Sequence, residues 1–154
     1  ELITPGTVVA GYLPVGTEPG EQSMWDPLVR TGSTVLLPVV RRDELDWARY
    51  AGPTALTRGP WGLIEPAGPR LGEAALARAG VIVVPAMAVD RDGLRLGKGR
   101  GFYDRSLGHR DPAALLVAMV RDPEVVQALP GEAHDVAMHA VLTPLAGLRA
   151  LPLD

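Results

Sequence analysis

The 154-residue sequence predicts a single α/β domain, a mostly parallel sheet flanked by helices. Three observations carry that expectation. Six short β-type runs punctuate the chain, four of them near-continuously apolar, as expected for strands covered on both faces. Helix-type segments lie between some of them, the alternation that builds parallel sheets. The 18 glycines and 15 prolines are dispersed, so they read as punctuation between short elements rather than as a linker.

The elements follow in order. "TVVAGYL" (Thr7 to Leu13) and "STVLLPVV" (Ser33 to Val40) read as strands on either side of a short helix in "SMWDPLVRTG", which ends at Gly32. "LDWARY" (Leu45 to Tyr50) alternates better and suits an antiparallel edge. "LGEAALARAG" (Leu71 to Gly80) reads as a helix stopped by Gly80. "VIVVP" (Val81 to Pro85), "ALLVAMV" (Ala114 to Val120) and "HAVLTP" (His139 to Pro144) are further strands, and "GFYDRSLGH" (Gly101 to His109) a third helix. In open α/β sheets, ligands lie beyond the carboxyl ends of the strands. The loop after "VIVVP" therefore places the glycine cluster that follows it at the ligand face.

Composition removes several classes of function. The absence of cysteine excludes disulfides, thiolate metal sites and cysteine nucleophiles. The longest apolar run, "VIVVPAMAV", is broken by Pro85 and falls short of the roughly 20 residues that span a bilayer. A net charge of −3 does not suit a general nucleic-acid binder. The expectation is a cytoplasmic monomer acting on small molecules, with neither membrane nor nucleic acid as partner. The cations are concentrated locally: Arg91, Arg95, Lys98, Arg100, Arg105 and Arg110 fall within twenty residues. Such a focus in an acidic chain suggests a small anionic ligand, although a charge run by itself also describes a solvated loop.

That focus lies in "GLRLGKGRGFYDR" (Gly93 to Arg105). Gly97, Gly99 and Gly101 alternate with Lys98 and Arg100, so backbone can approach a ligand closely and successive N–H groups can form an anion-binding concavity. A helix starting at Phe102 would add its free N–H groups. Asp104 among these cations is either an ion-pair partner or a Mg²⁺ ligand, since Mg²⁺ takes one or two carboxylates beside phosphate oxygens. The Walker loop needs G-x-x-x-x-G-K-[ST], whereas Gly93 to Gly97 leaves three residues between and Gly99 follows Lys98. The dinucleotide fingerprint G-x-G-x-x-G also fails, since the pattern here is G-x-G-x-G and Ala86 to Leu96 separate it from the strand.

"RLGKGRGFYDRSL" closely resembles the signature of the 5-formyltetrahydrofolate cyclo-ligase family, Arg-Leu-Gly-x-Gly-x-Gly-[Tyr/Phe]-Tyr-Asp, and matches each fixed position. Weaker similarities run in order along most of the chain: "YLPVGTEPG", with Glu18 at the family's glutamate, then "VLLPVV", "WGLIEPAGP", "VIVVPAMAVDRDG" and "LPGEAHDVAMHAVLTP". Val89 stands where the family usually has Phe, and Phe102 where Tyr is commoner. The family opens with a basic N-terminal helical segment that helps bind ATP phosphates. No counterpart precedes "TPGTVVAGYLP", so the expected domain is residues 1–154 without it.

The resemblance implies an architecture similar to phosphosugar isomerases and CoA-transferases. It implies ATP- and Mg²⁺-dependent closure of 5-formyltetrahydrofolate to 5,10-methenyltetrahydrofolate, through a phosphorylated formyl (imidate) intermediate, with release of ADP and phosphate. Carried over residue by residue, Arg95, Leu96, Gly97, Lys98, Gly99, Arg100, Gly101, Phe102 and Tyr103 would contact ATP. Leu13 and Glu18 would contact the folate together with Lys98 to Phe102, and Asp104 and Asp135 would hold Mg²⁺. Lys98, Arg95 and Tyr103 are the expected catalytic groups. Read without the signature, Phe102 and Tyr103 are first of all core aromatics, Asp104 equally suits an ion pair with Arg105 or Arg100, and Glu18 suits a solvated turn. Two other functions stay open at this point. One is a non-catalytic folate- or nucleotide-binding relative; the other is an isomerase or transferase on a related architecture.

Overall fold

A computed structural model describes residues 3–15, 18–59, 62–97, 101–131 and 135–154. Lys98, Gly99 and Arg100 lie outside the described residues. The first strand, β1 (Val8–Ala10), leads through a 3₁₀ turn (Gln22–Trp25) and α1 (Asp26–Arg30) to β2 (Thr34–Arg41) and β3 (Glu44–Arg49). A hairpin of β4 (Leu56–Arg58) and β5 (Ile64–Pro66) follows, then a 3₁₀ turn (Glu73–Arg78) and β6 (Val81–Pro85). A second hairpin, β7 (Ala88–Asp90) and β8 (Arg95–Leu96), precedes α2 (Phe102–Ser106). The chain closes with β9 (Leu115–Met119), β10 (Val125–Val126), β11 (Ala140–Thr143) and β12 (Gly147–Ala150).

The main sheet has the order β12-β11-β9-β6-β1-β2-β3. Its inner pairs are parallel, and antiparallel strands flank them on both sides. The α/β expectation therefore holds, and "LDWARY" is the antiparallel edge strand β3. Successive side chains of a strand point to opposite faces, and that period divides the core. Ala10, Leu36, Ile82, Val84, Leu116 and Ala118 face Leu76 and Leu107 on one side. Val9, Val35, Leu37, Val83 and Val117 face Trp25 on the other. Both faces are covered, which is why the strands read as unbroken apolar runs.

Two expectations change. "LGEAALARAG" forms a 3₁₀ helix, Glu73–Arg78, rather than an α-helix. Gly72 enters it at φ 93° and Ala79 leaves it extended, which bounds the run at six residues. The predicted strand from Thr7 to Leu13 shortens to three residues. Gly11 N–H still bonds Leu36 C=O at 2.9 Å, but Tyr12 and Leu13 then turn off the sheet into the ligand side. Among the described residues, no helix is long and apolar enough to cross a membrane.

Candidate active site

A cavity of about 270 Å³ opens past the end of β1, between β2 and β6, on the side of the strands' carboxyl ends where parallel sheets bind ligands. Tyr12 and Leu13 follow β1, Pro38 and Val40 lie in the part of β2 that runs on past it, and Pro85 ends β6. Phe102 and Tyr103 of α2 form another wall, and Ile64 and Glu65 of β5 a third. The lining is predominantly apolar with a few polar groups, the usual make-up of a small-molecule site. The expected site residues Leu13, Glu18, Phe102 and Tyr103 thus meet in one cavity, although Leu13 and Tyr103 are far apart in sequence.

Each wall has a local cause. The Trp25 ring packs directly on Gly11, and Trp25 Nε1–H donates to Tyr12 C=O at 2.7 Å, fixing the chain where it leaves β1. Beyond it, Glu18 Oε1 accepts Val15 N–H at 2.7 Å while Glu18 N–H donates to Val15 C=O at 3.1 Å. The reciprocal pair closes the rim loop and sets the Glu18 carboxylate against the cavity. Glu65 is 4% exposed, and its Oε2 accepts Val40 N–H at 3.0 Å.

The signature begins on the β7–β8 hairpin. Buried Asp90 accepts Asp92 N–H, Leu94 N–H and Leu129 N–H at 2.9–3.0 Å, pinning the turn that launches β8. Arg95 on β8 lies beside the Gly97 backbone and donates to Asp104 Oδ1 at 2.7 Å. Leu96 is exposed. Gly101 adopts φ 72° before α2, a left-handed conformation that suits glycine. At five residues, α2 is too short for its dipole to contribute much toward a ligand. Its value is placement: it presents Phe102 and Tyr103 to the cavity and Asp104 to solvent.

The Tyr103 hydroxyl is buried and makes no hydrogen bond among the described residues. Burial, with Tyr12 and Glu18 adding to it, raises its pKa well above the ordinary tyrosine value. The group therefore stays protonated, available as a donor rather than a base. Tyr12, whose hydroxyl donates to Pro19 C=O at 3.3 Å, is shifted upward chiefly by burial, then by Glu18. Asp104 and Asp135 are both exposed; Asp104 accepts from Arg95, and the Asp135 carboxylate lies near Gly131, against which Leu94 also packs. Their oxygens are the hard donors that Mg²⁺ prefers, and the guanidinium already on Asp104 marks a place that accepts positive charge. The expected ligand set is chemically suited to that ion.

Sequence reasoning missed Glu65, Tyr12 and the walls from β2 and β6. Glu65 carried a signal: an acid between Ile64 and Pro66 in a short strand is out of place unless something needs it. The other residues depend on strand register, which no local pattern reveals.

Comparison with known proteins agrees with this geometry. The model of the 5-formyltetrahydrofolate cyclo-ligase family matches residues 3–144. The 5-formyltetrahydrofolate cyclo-ligase of Mycolicibacterium smegmatis is 47% identical over 152 residues, covering 95% of this chain and 78% of that one. The Escherichia coli enzyme of the same name is 32% identical over 140 residues, covering 88% and 77%. The NMR structure of Aquifex aeolicus 5,10-methenyltetrahydrofolate synthetase superposes with a TM-score of 0.79 at 29% identity, over 97% of this chain and 74% of that one. A Mycoplasma pneumoniae synthetase superposes at 0.66 with 16% identity, over 88% and 71%, a likeness of fold. With the family model matched over residues 3–144 and 47% identity to a curated member, the chain belongs to the 5-formyltetrahydrofolate cyclo-ligase family.

Proposed function

We propose that this protein closes 5-formyltetrahydrofolate to 5,10-methenyltetrahydrofolate, consuming ATP and releasing ADP and phosphate, as a cytoplasmic monomer. The observation that carries this reading is the meeting of Phe102 and Tyr103, from the glycine-rich signature, with Leu13 and Glu18, from the early loop, around one cavity. A phosphate-binding segment and a pocket for a flat heterocycle then share a wall.

The chemistry needs that adjacency. A formamide carbon is a poor electrophile because nitrogen donates into the carbonyl. Attack of the formyl oxygen on the γ-phosphorus breaks the bond to ADP and turns that oxygen into a leaving group. N10 then bonds to the formyl carbon, the C–O bond breaks with its electrons leaving on phosphate, and the N10 proton is lost. Phosphoryl transfer asks mainly for positioning and charge neutralisation. Arg95 and Lys98 supply positive charge, and the main chain of Leu96 to Gly101 supplies N–H donors. Tyr103 supplies a neutral hydroxyl whose hydrogen bond has been left unmade in the cavity. Asp104 and Asp135 would hold Mg²⁺, which neutralises phosphate charge when bound. Glu18 and Leu13 would hold the folate.

The purified protein mixed with 5-formyltetrahydrofolate, ATP and Mg²⁺ develops the near-ultraviolet absorbance of the methenyl product, with one ADP released per product. Failure to develop it with all three present overturns the reading.

A further inference from the structure

The two acids expected to hold Mg²⁺ come from different parts of the chain, and one buried carboxylate reaches both parts. Asp90 ends β7 and is 2% exposed. Its Oδ1 accepts Asp92 N–H at 3.0 Å and Leu94 N–H at 2.9 Å, across the turn into β8. Its Oδ2 accepts Leu129 N–H at 3.0 Å, from the segment that follows β10. From Leu94 the chain passes to Arg95, which donates to Asp104 Oδ1 at 2.7 Å. On the other arm, Leu94 and the Asp135 carboxylate lie against the same residue, Gly131. A Cβ there would stand 2.5 Å from Leu94 Cδ1 and 3.2 Å from Asp135 Oδ2. The turn is tied to that arm a second time: Gly93 C=O accepts Met138 N–H at 2.7 Å, and a Cβ on Gly93 would meet the Met138 carbonyl. Among the described residues, no cation pairs with Asp90, so backbone N–H groups hold its charge. An ion pair would tether one flexible side chain; these three bonds fix main chain on both arms.

We propose that Asp90 is a positioning residue for the metal: by binding the β7–β8 turn and Leu129 with one carboxylate, it sets how Asp104 and Asp135 stand relative to each other. The assignment rests on the cyclo-ligase reading and the Mg²⁺ ligands it names. Mg²⁺ demands near-ideal octahedral geometry with short bonds, whereas Ca²⁺ accepts irregular oxygen sets at longer range. A loosened pair of acids therefore loses Mg²⁺ more than Ca²⁺. Partners that orient metal ligands change affinity about 10- to 100-fold when they are removed. Asp90→Asn leaves one acceptor oxygen and turns an NH₂ toward a backbone N–H, so one of the two arms comes free. Linkage also runs the other way: a metal held by both acids tightens the bonds that place them.

The test counts free Mn²⁺ by its paramagnetic resonance signal, with purified protein and no nucleotide, and then displaces it with Mg²⁺ or Ca²⁺. Asp90→Asn weakens Mn²⁺ and Mg²⁺ about 10-fold and Ca²⁺ less. Combined with Asp135→Asn it adds no further loss, because the two act through one ligand. Equal loss of Mg²⁺ and Ca²⁺, or loss of neither, overturns the role of Asp90. A second measurement needs only wild type: Mg²⁺ slows amide exchange at Leu94 and Leu129, the N–H groups bound to Asp90 on its two arms. Exchange unchanged at both overturns the role as well, even if Asp90→Asn fails to fold. Asp104→Asn and Asp135→Asn proteins that bind Mn²⁺ as wild type does defeat the metal assignment beneath it. A wild type that holds the metal through these acids and yields no methenyl product defeats the cyclo-ligase reading and leaves the role of Asp90 standing.

Discussion

Arg95 and Asp104 meet across 2.7 Å, a guanidinium whose side chain is 7% exposed against a carboxylate whose side chain is 76% exposed. The pair ties the glycine-rich segment to α2, yet its acid remains open to solvent. An ion pair so exposed at one end contributes little stability, roughly 0–1 kcal/mol. Asp104→Asn therefore shifts the thermal midpoint by only a few degrees, while turnover at a fixed Mg²⁺ concentration falls about 100-fold, in line with loss of an electrostatic catalytic contact. Turnover and calorimetric melting on the same preparations check this. A large loss of melting temperature with activity retained would make the residue structural.

Gly101 joins the glycine segment to α2 at φ 72°, and a Cβ built there would lie 2.8 Å from an Arg105 guanidinium nitrogen. Gly101→Ala costs about 1–2 kcal/mol from the left-handed backbone alone. Arg105 must also release its hold, which includes a bond from Nε to Asp43 C=O at 2.7 Å. The variant melts lower and shows a raised KM for ATP, read from denaturant unfolding and initial rates.

Trp25 reaches the site without touching the cavity. Trp25→Phe keeps most of the ring on Gly11 but removes the donor to Tyr12 C=O. A buried carbonyl left unpaired costs about 1–3 kcal/mol. The chain leaving β1 loosens with it, so the KM for 5-formyltetrahydrofolate rises while that for ATP stays near wild type. Unfolding and steady-state kinetics separate the two effects.

A pH effect follows from a second pair of acids, outside the cavity. Glu44 is raised above its ordinary pKa, first by a hydrogen bond with Glu73, then by burial and by the Glu73 charge; His109 and Arg105 act the other way. A folded pKa above the unfolded one gives stability that is present at low pH and is lost as pH rises through the folded value. Near neutral pH the two carboxylates repel. Glu44→Gln removes that repulsion and leaves the 3.4 Å contact of Glu73 with His109 Nε2 in place. The variant melts above wild type at about pH 7, and the difference fades toward about pH 4. A melting series across that range checks the sign.

Much of this molecule was legible from local pattern. Both-face burial wrote β2, β6 and β9 as unbroken apolar runs, and alternation marked β3 as different. The signature's spacing located Arg95, Phe102, Tyr103 and Asp104 because phosphate chemistry constrains neighbours in sequence. What local pattern cannot carry is register. Pro38, Val40 and Pro85 become walls only because β2 and β6 run on past Ala10, the end of β1, which pairs with Leu36 and Ile82. The ends of the Glu73–Arg78 segment are set by Gly72 and Ala79, but nothing in its sequence marks it as 3₁₀ rather than α. Glu65 stands in a quoted segment, but its burial depends on Gly59, just past β4, and on Val40 of β2, which no local pattern brings together.

One short strand has a larger consequence. Hydrogen-bonded continuity between the β2–β3 side of the main sheet and the β6–β9–β11 side passes through the three residues of β1. The cavity straddles that seam, with walls from β2 on one bank and Pro85 on the other. A ligand seated there acts as a rivet across the narrowest join in the molecule. Occupancy then slows amide exchange at Val9 and Ala10 beyond what it does at the sheet edges, coupling catalytic readiness to mechanical closure of the fold.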